Sequence, residues 1–286
     1  MFIMQNQDYI LFGGLILLYF IGLLSDIDFL PSPFKRIVLQ TTSILFFIIV
    51  YELSIKTISI EPFDKLLVFK TFNILFLLIC LLVLINGFNF LDGINTLVIG
   101  NFIICLLAIF YISKKHGLYL NFYLVESVLI ILLSIFLYNF FGKSFLGDSG
   151  TYCISFLVGV LCVKFAYENF TRVSPYFIAS ILWYPAIENL FSILRRFLLK
   201  KKLSKADNGH LHHLIYLFMS KIFFLKNGIF ANTLTGMLIN SYFLVGTAFS
   251  VIYYNSTTAL AWVIVINIFI YLSVYIHFYK LIIKNK

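Results

Sequence analysis

Residues 68–100 read VFKTFNILFLLICLLVLINGFNFLDGINTLVIG. The first part, residues 68–87, is a nearly unbroken apolar run of the length that crosses a membrane, about 20 residues. Polar side chains follow at its end: Asn86, Asn89, Asp92 and Asn95. Because a polar group that cannot reach water is strongly unfavourable in hydrocarbon, such a cluster belongs at the membrane edge. The stretch therefore predicts a transmembrane helix with a polar cluster at one end.

The composition extends this prediction to the whole chain. Of 286 residues, 62% are apolar and 12% are charged, and the mean hydropathy is +1.00. A soluble domain is about half apolar and about a quarter charged, so we expect an integral membrane protein. The predicted fold is an all-α polytopic membrane helix bundle that forms a single domain over residues 1–286. Nine runs are candidate spans, of which the second is short: about 9–25, 37–51, 68–87, 97–113, 121–139, 151–168, 175–193, 229–252 and 258–281.

The distribution of Lys and Arg predicts the orientation of these spans. With the N-terminus outside, one membrane face collects fourteen of the 21 basic residues and the other face seven. Because Lys and Arg concentrate in cytoplasmic loops, the C-terminus is predicted to be cytoplasmic. The cytoplasmic loops would then lie at about 26–36, 88–96, 140–150 and 194–228. The net charge of +9 is assigned to the membrane and not to nucleic acid.

Those four loops bring chemically active side chains to one face. They contain the stretches GLLSDIDFLPSPFKRIVLQ (22–40), LINGFNFLDGIN (84–95), FFGKSFLGDSGTY (140–152) and LRRFLLKKKLSKADNGHLHHLIY (194–216). Singly, each has a structural explanation: Asp-Gly turns, helix caps, an orientation signal or surface histidines. Together, they place acidic residues within or beside short Gly- and Asn-rich motifs on a single face.

This combination favours phosphoryl-transfer chemistry. Mg²⁺ binds through one or two carboxylates and substrate phosphates while it keeps several waters. Phosphoryl transfer mainly needs positioning and charge neutralisation, which Arg, Lys and His supply to the remaining phosphate oxygens. A site beside the lipid headgroups suits one soluble reactant and one lipid phosphate.

The ordered motifs resemble those of the polyprenyl-phosphate N-acetylhexosamine-1-phosphate transferases, glycosyltransferase family 4, which also contains the phospho-MurNAc-pentapeptide translocase. A Gly-x-x-Asp-Asp stretch that ends in a basic residue and Gln is similar to residues 22–40. Further motifs resemble Asn86, Asn89, Asp92 and Gly93; then Gly147, Asp148, Gly150 and Thr151; and finally Pro185, Glu188, Arg195, Arg196, Asp207, His210, His212 and His213. The resemblance covers essentially the whole chain.

The resemblance implies transfer of an N-acetylhexosamine 1-phosphate from a UDP-sugar to undecaprenyl phosphate, with release of UMP. This would be the first membrane step of O-antigen or other envelope polysaccharide synthesis. Asp26, Asp92 and Asp148 would be catalytic, with Asp148 and Asp92 at Mg²⁺ (Mn²⁺ is the alternative). Substrate binding would fall to Asn86, Asn89, Arg195, Arg196, His210, His212 and His213. The implied location is the bacterial inner membrane, with the active site on its cytoplasmic face, and a homodimer is left open.

The chain also departs from the family pattern. Ser25 precedes Asp26 where the family has a second aspartate, unless Asp28 substitutes for it. Thr96 replaces a usual Gly, and Asn208 replaces a common Arg. About two N-terminal spans of the family have no counterpart before residue 9. Two alternatives therefore stay open: a truncated or inactive membrane homologue, and a small-solute transporter.

Overall fold

The computed structural model describes residues 6–198, 209–222 and 228–284, and this part of the chain is helical without β-strands. Asp207 and Asn208 lie outside the described residues. The helices are α1 (Asn6–Asp26), α2 (Pro33–Tyr51), α3 (Glu61–Leu67), α4 (Lys70–Leu91), α5 (Leu97–His116), α6 (Phe122–Phe140), α7 (Gly147–Glu168), α8 (Pro175–Ile181), α9 (Trp183–Leu198), α10 (Leu211–Ile222), α11 (Gly228–Ile252) and α12 (Thr257–Tyr279), and a π-helical turn, Lys280–Lys284, follows.

Eight of these helices in the described ranges are long and apolar enough to span a membrane. Helices α8 and α9 form a ninth candidate span, which is bent by 70° at Leu182. The all-α bundle of about nine spans predicted from hydropathy is therefore confirmed. The bend was not predicted, and it turns the second half of that span into a separately directed helix.

Short polar and conformational signals set several helix ends. Ser32 caps α2, with Pro33 at the first helical position, and Ser174 and Pro175 repeat the arrangement at α8. Helix α5 ends at Gly117, whose φ of 59° is the left-handed conformation that glycine adopts without strain. The apolar runs thus become helices with defined starts and stops.

Two glycines allow helices near the polar cluster to approach closely. A Cβ on Gly22 of α1 would lie 2.3 Å from the Ser149 Cα of α7. A Cβ on Gly87 of α4 would lie 2.2 Å from the Pro185 carbonyl oxygen of α9. Only glycine fits at either crossing. These contacts bring α1 against α7 and α4 against α9.

Candidate functional site

Three carboxylates converge at the first turn of α7. Asp26, the last residue of α1, accepts the backbone N–H groups of Asp148 at 2.8 Å and Ser149 at 3.0 Å. Asp92, just after α4, accepts the backbone N–H of Gly147 at 2.9 Å. The N-terminal N–H groups of a helix have no partner within the helix and attract negative charge. The structure therefore brings together the three aspartates that the sequence singled out, on the N-terminus of one helix.

The Asp148 side chain forms further polar contacts with α1, α2 and its own helix. Its Oδ2 atom lies 2.7 Å from the Arg36 guanidinium and also accepts from the Ser25 hydroxyl and, at 3.2 Å, from the Tyr152 hydroxyl. Arg36 donates to Ser25 Oγ at 2.7 Å as well. Ser25 thus binds Asp148 directly, and its hydroxyl stands where a second carboxylate would repel that aspartate. Asp28 is exposed in a left-handed turn, with a φ of 57°.

The grouping of carboxylates alters the acidity of Asp92. The pKa of Asp92 is raised from 3.8 to about 7, mainly by burial; the backbone hydrogen bond from Gly147 opposes this rise, and the negative charges of Asp148 and Asp26 add to it. A nearby cation would favour the ionised form. The position is therefore electrostatically suited to a divalent metal ion.

The carboxylate oxygens at this position suit a metal ion that is also coordinated by water and substrate. Within the described ranges, no three His, Cys, Asp or Glu side chains are grouped closely enough to hold an ion by themselves. Mg²⁺ needs no such cage, because it binds through one or two carboxylates, water and substrate phosphates. The hard oxygens of Asp92 and Asp148 fit that mode.

The two asparagines of α4 have different surroundings. Asn89 Oδ1 accepts from the Thr151 hydroxyl at 3.1 Å, which ties α4 to the first turn of α7. Asn86 donates to Gln40 of α2 at 3.1 Å. Gln40 is fully buried, and its Nε2 atom has no hydrogen-bond partner among the described residues. Asn89 therefore lies beside the carboxylates, whereas Asn86 lies one helical turn deeper.

The histidines pack against the end of α4. The His210 ring lies 5.3 Å from that of Phe90, and a Cβ on Gly93 would lie 3.3 Å from His213 Cε1. His212 is fully buried between them, with ring centroids 5.4 Å from His210 and 4.4 Å from His213. Both of its ring nitrogens lack a hydrogen-bond partner among the described residues. Burial lowers the pKa of His212 well below its ordinary value, and the two neighbouring imidazoles lower it further.

The two arginines of α9 are partly engaged within the protein. Arg195 donates to the Gly209 carbonyl and, at 2.8 Å, to the Tyr275 hydroxyl. Arg196 is 9% exposed. Arg195, one of the residues predicted to bind substrate, thus contacts Gly209, which directly precedes His210.

A network of amides around the 93–96 turn was missed by the sequence reasoning. Asn139 at the end of α6 accepts from the Thr96 N–H and donates to the Ser144 carbonyl at 2.6 Å. Asn240 of α11 donates to the Thr96 carbonyl at 2.8 Å. Thr96 has a φ of 67°, which is uncommon for a residue other than glycine and agrees with the Gly that the motif resemblance leads us to expect there. Asparagine inside an apolar helix was the available signal for this network.

We expect Asn139→Ala to lower the thermal stability of the purified protein. The substitution leaves the buried Thr96 N–H without its partner, which costs about 1–3 kcal/mol, and it also removes the partly buried hydrogen bond to the Ser144 carbonyl. Ser134→Ala on the same helix, which removes only an exposed hydroxyl bonded to Ile130, is the control. Equal unfolding temperatures for the two variants in detergent would contradict a structural role for Asn139.

An apolar groove runs along the membrane-spanning part of the bundle. It has a cavity volume of about 450 Å³ and is enclosed by α4, α7, α8 and α9 and the segment before α3. Val83 and Leu84 of α4 line it together with Ala186 and Leu190 of α9. Leu84 and Val83 are the lining residues nearest to the polar end of α4, and they precede Asn89 by five and six residues. The groove extends from there to Lys56 and Pro175 near the opposite end of the bundle, and the three carboxylates are not among the residues that line it.

Comparison with known proteins gives a family assignment. Residues 9–166 match the model of glycosyl transferase family 4. A Bacillus subtilis (strain 168) protein named "Probable undecaprenyl-phosphate N-acetylglucosaminyl 1-phosphate transferase" is 31% identical over 134 residues, which are 46% of this chain and 37% of that protein. A decaprenyl-phosphate N-acetylglucosaminephosphotransferase of Mycolicibacterium smegmatis is 28% identical over 180 residues, which are 56% and 44% of the respective chains.

The matches therefore span less than half the length of these two curated relatives. The family match includes the three aspartates and the two α4 asparagines, and it ends before α8 and the histidines. It covers more than half of the chain. This integral membrane protein belongs to glycosyl transferase family 4.

Proposed function

We propose that the protein transfers an N-acetylhexosamine 1-phosphate from a UDP-sugar to a polyprenyl phosphate and releases UMP. The observation that carries the proposal is the convergence of Asp26, Asp92 and Asp148 on the N-terminus of α7, in a bundle that also has an apolar groove within its membrane-spanning part. The carboxylates suit a metal-bound diphosphate, and the groove suits a lipid tail. The names of the relatives support N-acetylglucosamine as the sugar and a polyprenyl phosphate, undecaprenyl in one name and decaprenyl in the other, as the acceptor.

In the proposed reaction, an acceptor phosphate oxygen bonds to the β-phosphorus of the donor. The bond from that phosphorus to the oxygen bridging the α- and β-phosphates breaks, and this oxygen leaves with UMP. Because the acceptor phosphate is already ionised, it needs no strong base. We therefore assign Asp26 the role of holding the first turn of α7, because both of its oxygens accept backbone N–H groups there. A direct role of Asp26 in activating the acceptor stays an alternative.

Mg²⁺ would be held by Asp148 and Asp92, with Mn²⁺ as the alternative, and would neutralise the diphosphate charge that builds up as UMP leaves. Asn89 and the histidines would contact donor groups, because both lie at the carboxylate end of α4. Arg36 adds a cation beside Asp148 that can pair with a phosphate oxygen. Asn86 would support the same face of α4 through Gln40.

We further propose that this end of the bundle faces the cytoplasm of a bacterial cell, with the active site at the inner face of the membrane. The two-to-one bias of Lys and Arg supports this orientation. UDP-sugars are cytoplasmic metabolites, so the carboxylates would meet the donor there. The product would enter synthesis of O-antigen, lipopolysaccharide or another envelope polysaccharide.

The test is lipid labelling in membranes from a host that lacks its own transferase of this kind. Membranes containing the chain are supplied with labelled UDP-GlcNAc, and label is followed into chloroform-soluble lipid with and without Mg²⁺. We expect Mg²⁺-dependent lipid labelling with an equal release of UMP. A well-inserted protein that labels no lipid from either UDP-GlcNAc or UDP-GalNAc would contradict the proposal and favour an inactive homologue.

A further inference from the structure

Two side chains of opposite charge on α9 contact the segment around His210. Glu188 and Arg195 are seven residues apart, which places them about two turns apart on the same face of the helix. Both contact residues 209–211, at the start of α10. Helix α9 therefore holds this segment at two points.

The first contact is a buried carboxylate. Glu188 is 1% exposed, and its Oε1 atom lies 2.9 Å from His210 Nδ1 and accepts the Leu211 N–H at 3.2 Å. Its Oε2 atom accepts from the Tyr271 hydroxyl at 3.0 Å. A buried charge persists only when it is paired and hydrogen-bonded, and these three partners meet that requirement. With Nδ1 bound to Glu188, the ring orientation of His210 is fixed.

The second contact is the guanidinium of Arg195. It donates to the Gly209 carbonyl, the residue directly before His210, and to the Tyr275 hydroxyl at 2.8 Å. Both of these hydrogen bonds come from Nη1, and Nη2 donates to the Ser192 hydroxyl of the same helix at 3.4 Å. Protein oxygens thus occupy the Arg195 Nη1 donor, a group that sequence reasoning assigned to substrate.

Helix α12 completes the arrangement. Tyr271 and Tyr275 are one turn apart on α12, both are buried, and each donates to or accepts from one of the two α9 side chains. The Phe191 ring of α9 packs edge-on against both tyrosine rings, at centroid distances of 5.7 and 4.7 Å. Neither tyrosine belongs to a motif of the sequence, and α12 lies outside the region that matches the family model.

We propose that Glu188, Arg195, Tyr271 and Tyr275 form a clamp that positions the histidines, and that Arg195 is a positioning residue instead of a phosphate ligand. The inference rests on the proposed function, because it assigns the clamp to the donor site. The four side chains fix both the path of the chain before α10 and the orientation of His210. Correct placement of the histidines then depends on a helix at the far end of the sequence.

The first experiment measures the position of the histidines without turnover. Purified protein is treated with diethyl pyrocarbonate, and modification of each histidine is followed by mass spectrometry. His210 and His212 are buried, whereas His277 is exposed and serves as the internal reference. We expect Arg195→Lys and Tyr275→Phe each to raise modification of His210 and His212 relative to His277 by about tenfold, the effect of losing one hydrogen bond to a charged group.

Tyr242→Phe is the matched control. It removes a tyrosine hydroxyl that donates at 2.7 Å to Asn267, so it also breaks a hydrogen bond between α12 and a neighbouring helix, but not one to the histidine segment. We expect it to leave histidine modification unchanged. If Arg195→Lys fails to fold, Tyr275→Phe and Tyr271→Phe carry the same test, because each removes a single hydroxyl.

The second experiment separates positioning from substrate binding by kinetics. A clamp predicts that Arg195→Lys and Tyr275→Phe change kcat and KM for the UDP-sugar in the same pattern, because both act through the histidines, and that the double variant is no worse than the more impaired single variant. Unchanged histidine modification would overturn the clamp. So would a KM raised by Arg195→Lys alone, which would identify Arg195 as a donor ligand. A wild-type protein without transferase activity would contradict the proposed function, while the modification experiment would still test the clamp.

Discussion

Replacing Asp148 with Asn is expected to reduce sugar-phosphate transfer by at least about 100-fold, the scale seen when a group that stabilises developing charge is removed. The change is nearly isosteric, but it removes the negative charge that pairs with Arg36 and that would hold a metal ion. Ser25 and Tyr152 can still donate to the remaining amide oxygen, so the first turn of α7 should keep its shape. The measurement is the initial rate of lipid labelling at matched amounts of membrane-inserted protein.

Glu126→Gln is the control for this prediction. Glu126 forms an ion pair with Lys114 at 3.5 Å, at the opposite end of the bundle, and the pair is partly exposed. Surface pairs of this kind contribute little, so the rate should stay within about twofold of the unaltered protein. Manganese binding, followed by electron paramagnetic resonance, should be weakened in Asp148→Asn alone. Normal transfer by Asp148→Asn would contradict the metal assignment.

Gly22→Ala is expected to cause a comparable loss of transfer by a different physical route. The added Cβ would lie 2.3 Å from the Ser149 Cα, and both atoms belong to backbone elements that cannot rotate away. Helix α1 must therefore shift from α7, which separates Asp26 from the N–H groups of Asp148 and Ser149. Overpacking of this kind destabilises by about 1–3 kcal/mol. We expect both a lower unfolding temperature in detergent and a large loss of lipid labelling.

Gly13→Ala in the same helix is the matched control. A Cβ on Gly13 meets no atom within 4 Å, and alanine is favoured over glycine in a helix interior by about 0.5–1 kcal/mol. This variant should be as stable as the unaltered protein or slightly more stable, with normal transfer. Equal behaviour of the two variants would show that the close crossing of α1 and α7 does not set the position of Asp26.

The sequence was sufficient to predict the bundle and the residues that meet at its polar end. Apolar runs of fixed length report spans directly, because a membrane-crossing helix has few other ways to satisfy its backbone. Counting spans then placed Asp26, Asp92 and Asp148 at the same end, although 122 positions separate the first from the last. Their assignment to catalysis and metal binding stays a prediction.

The pairing of side chains could not be predicted. Asp26 looked like a reactive carboxylate, but its two oxygens hold the start of a helix that begins more than a hundred residues later. Arg195 looked like a phosphate ligand, but its partners are a carbonyl and a tyrosine hydroxyl of α12. The hydropathy of a segment does not report the direction of the helix axis, so the bend at Leu182 could not be predicted from it. Such features depend on tertiary contacts that a local pattern does not contain.

The apolar groove enclosed by α4, α7, α8 and α9 has a kinetic consequence. Under the proposed function, an acceptor lipid whose tail occupies this groove diffuses within the plane of the membrane, so the concentration that matters is its mole fraction among the lipids. Adding inert phospholipid or detergent at a constant bulk amount of acceptor should then slow transfer by surface dilution. The dependence on the soluble donor should keep its ordinary bulk units. Because the acceptor would then be supplied within the plane of the membrane, the lipid composition of the bilayer would control the rate as strongly as the amount of enzyme does.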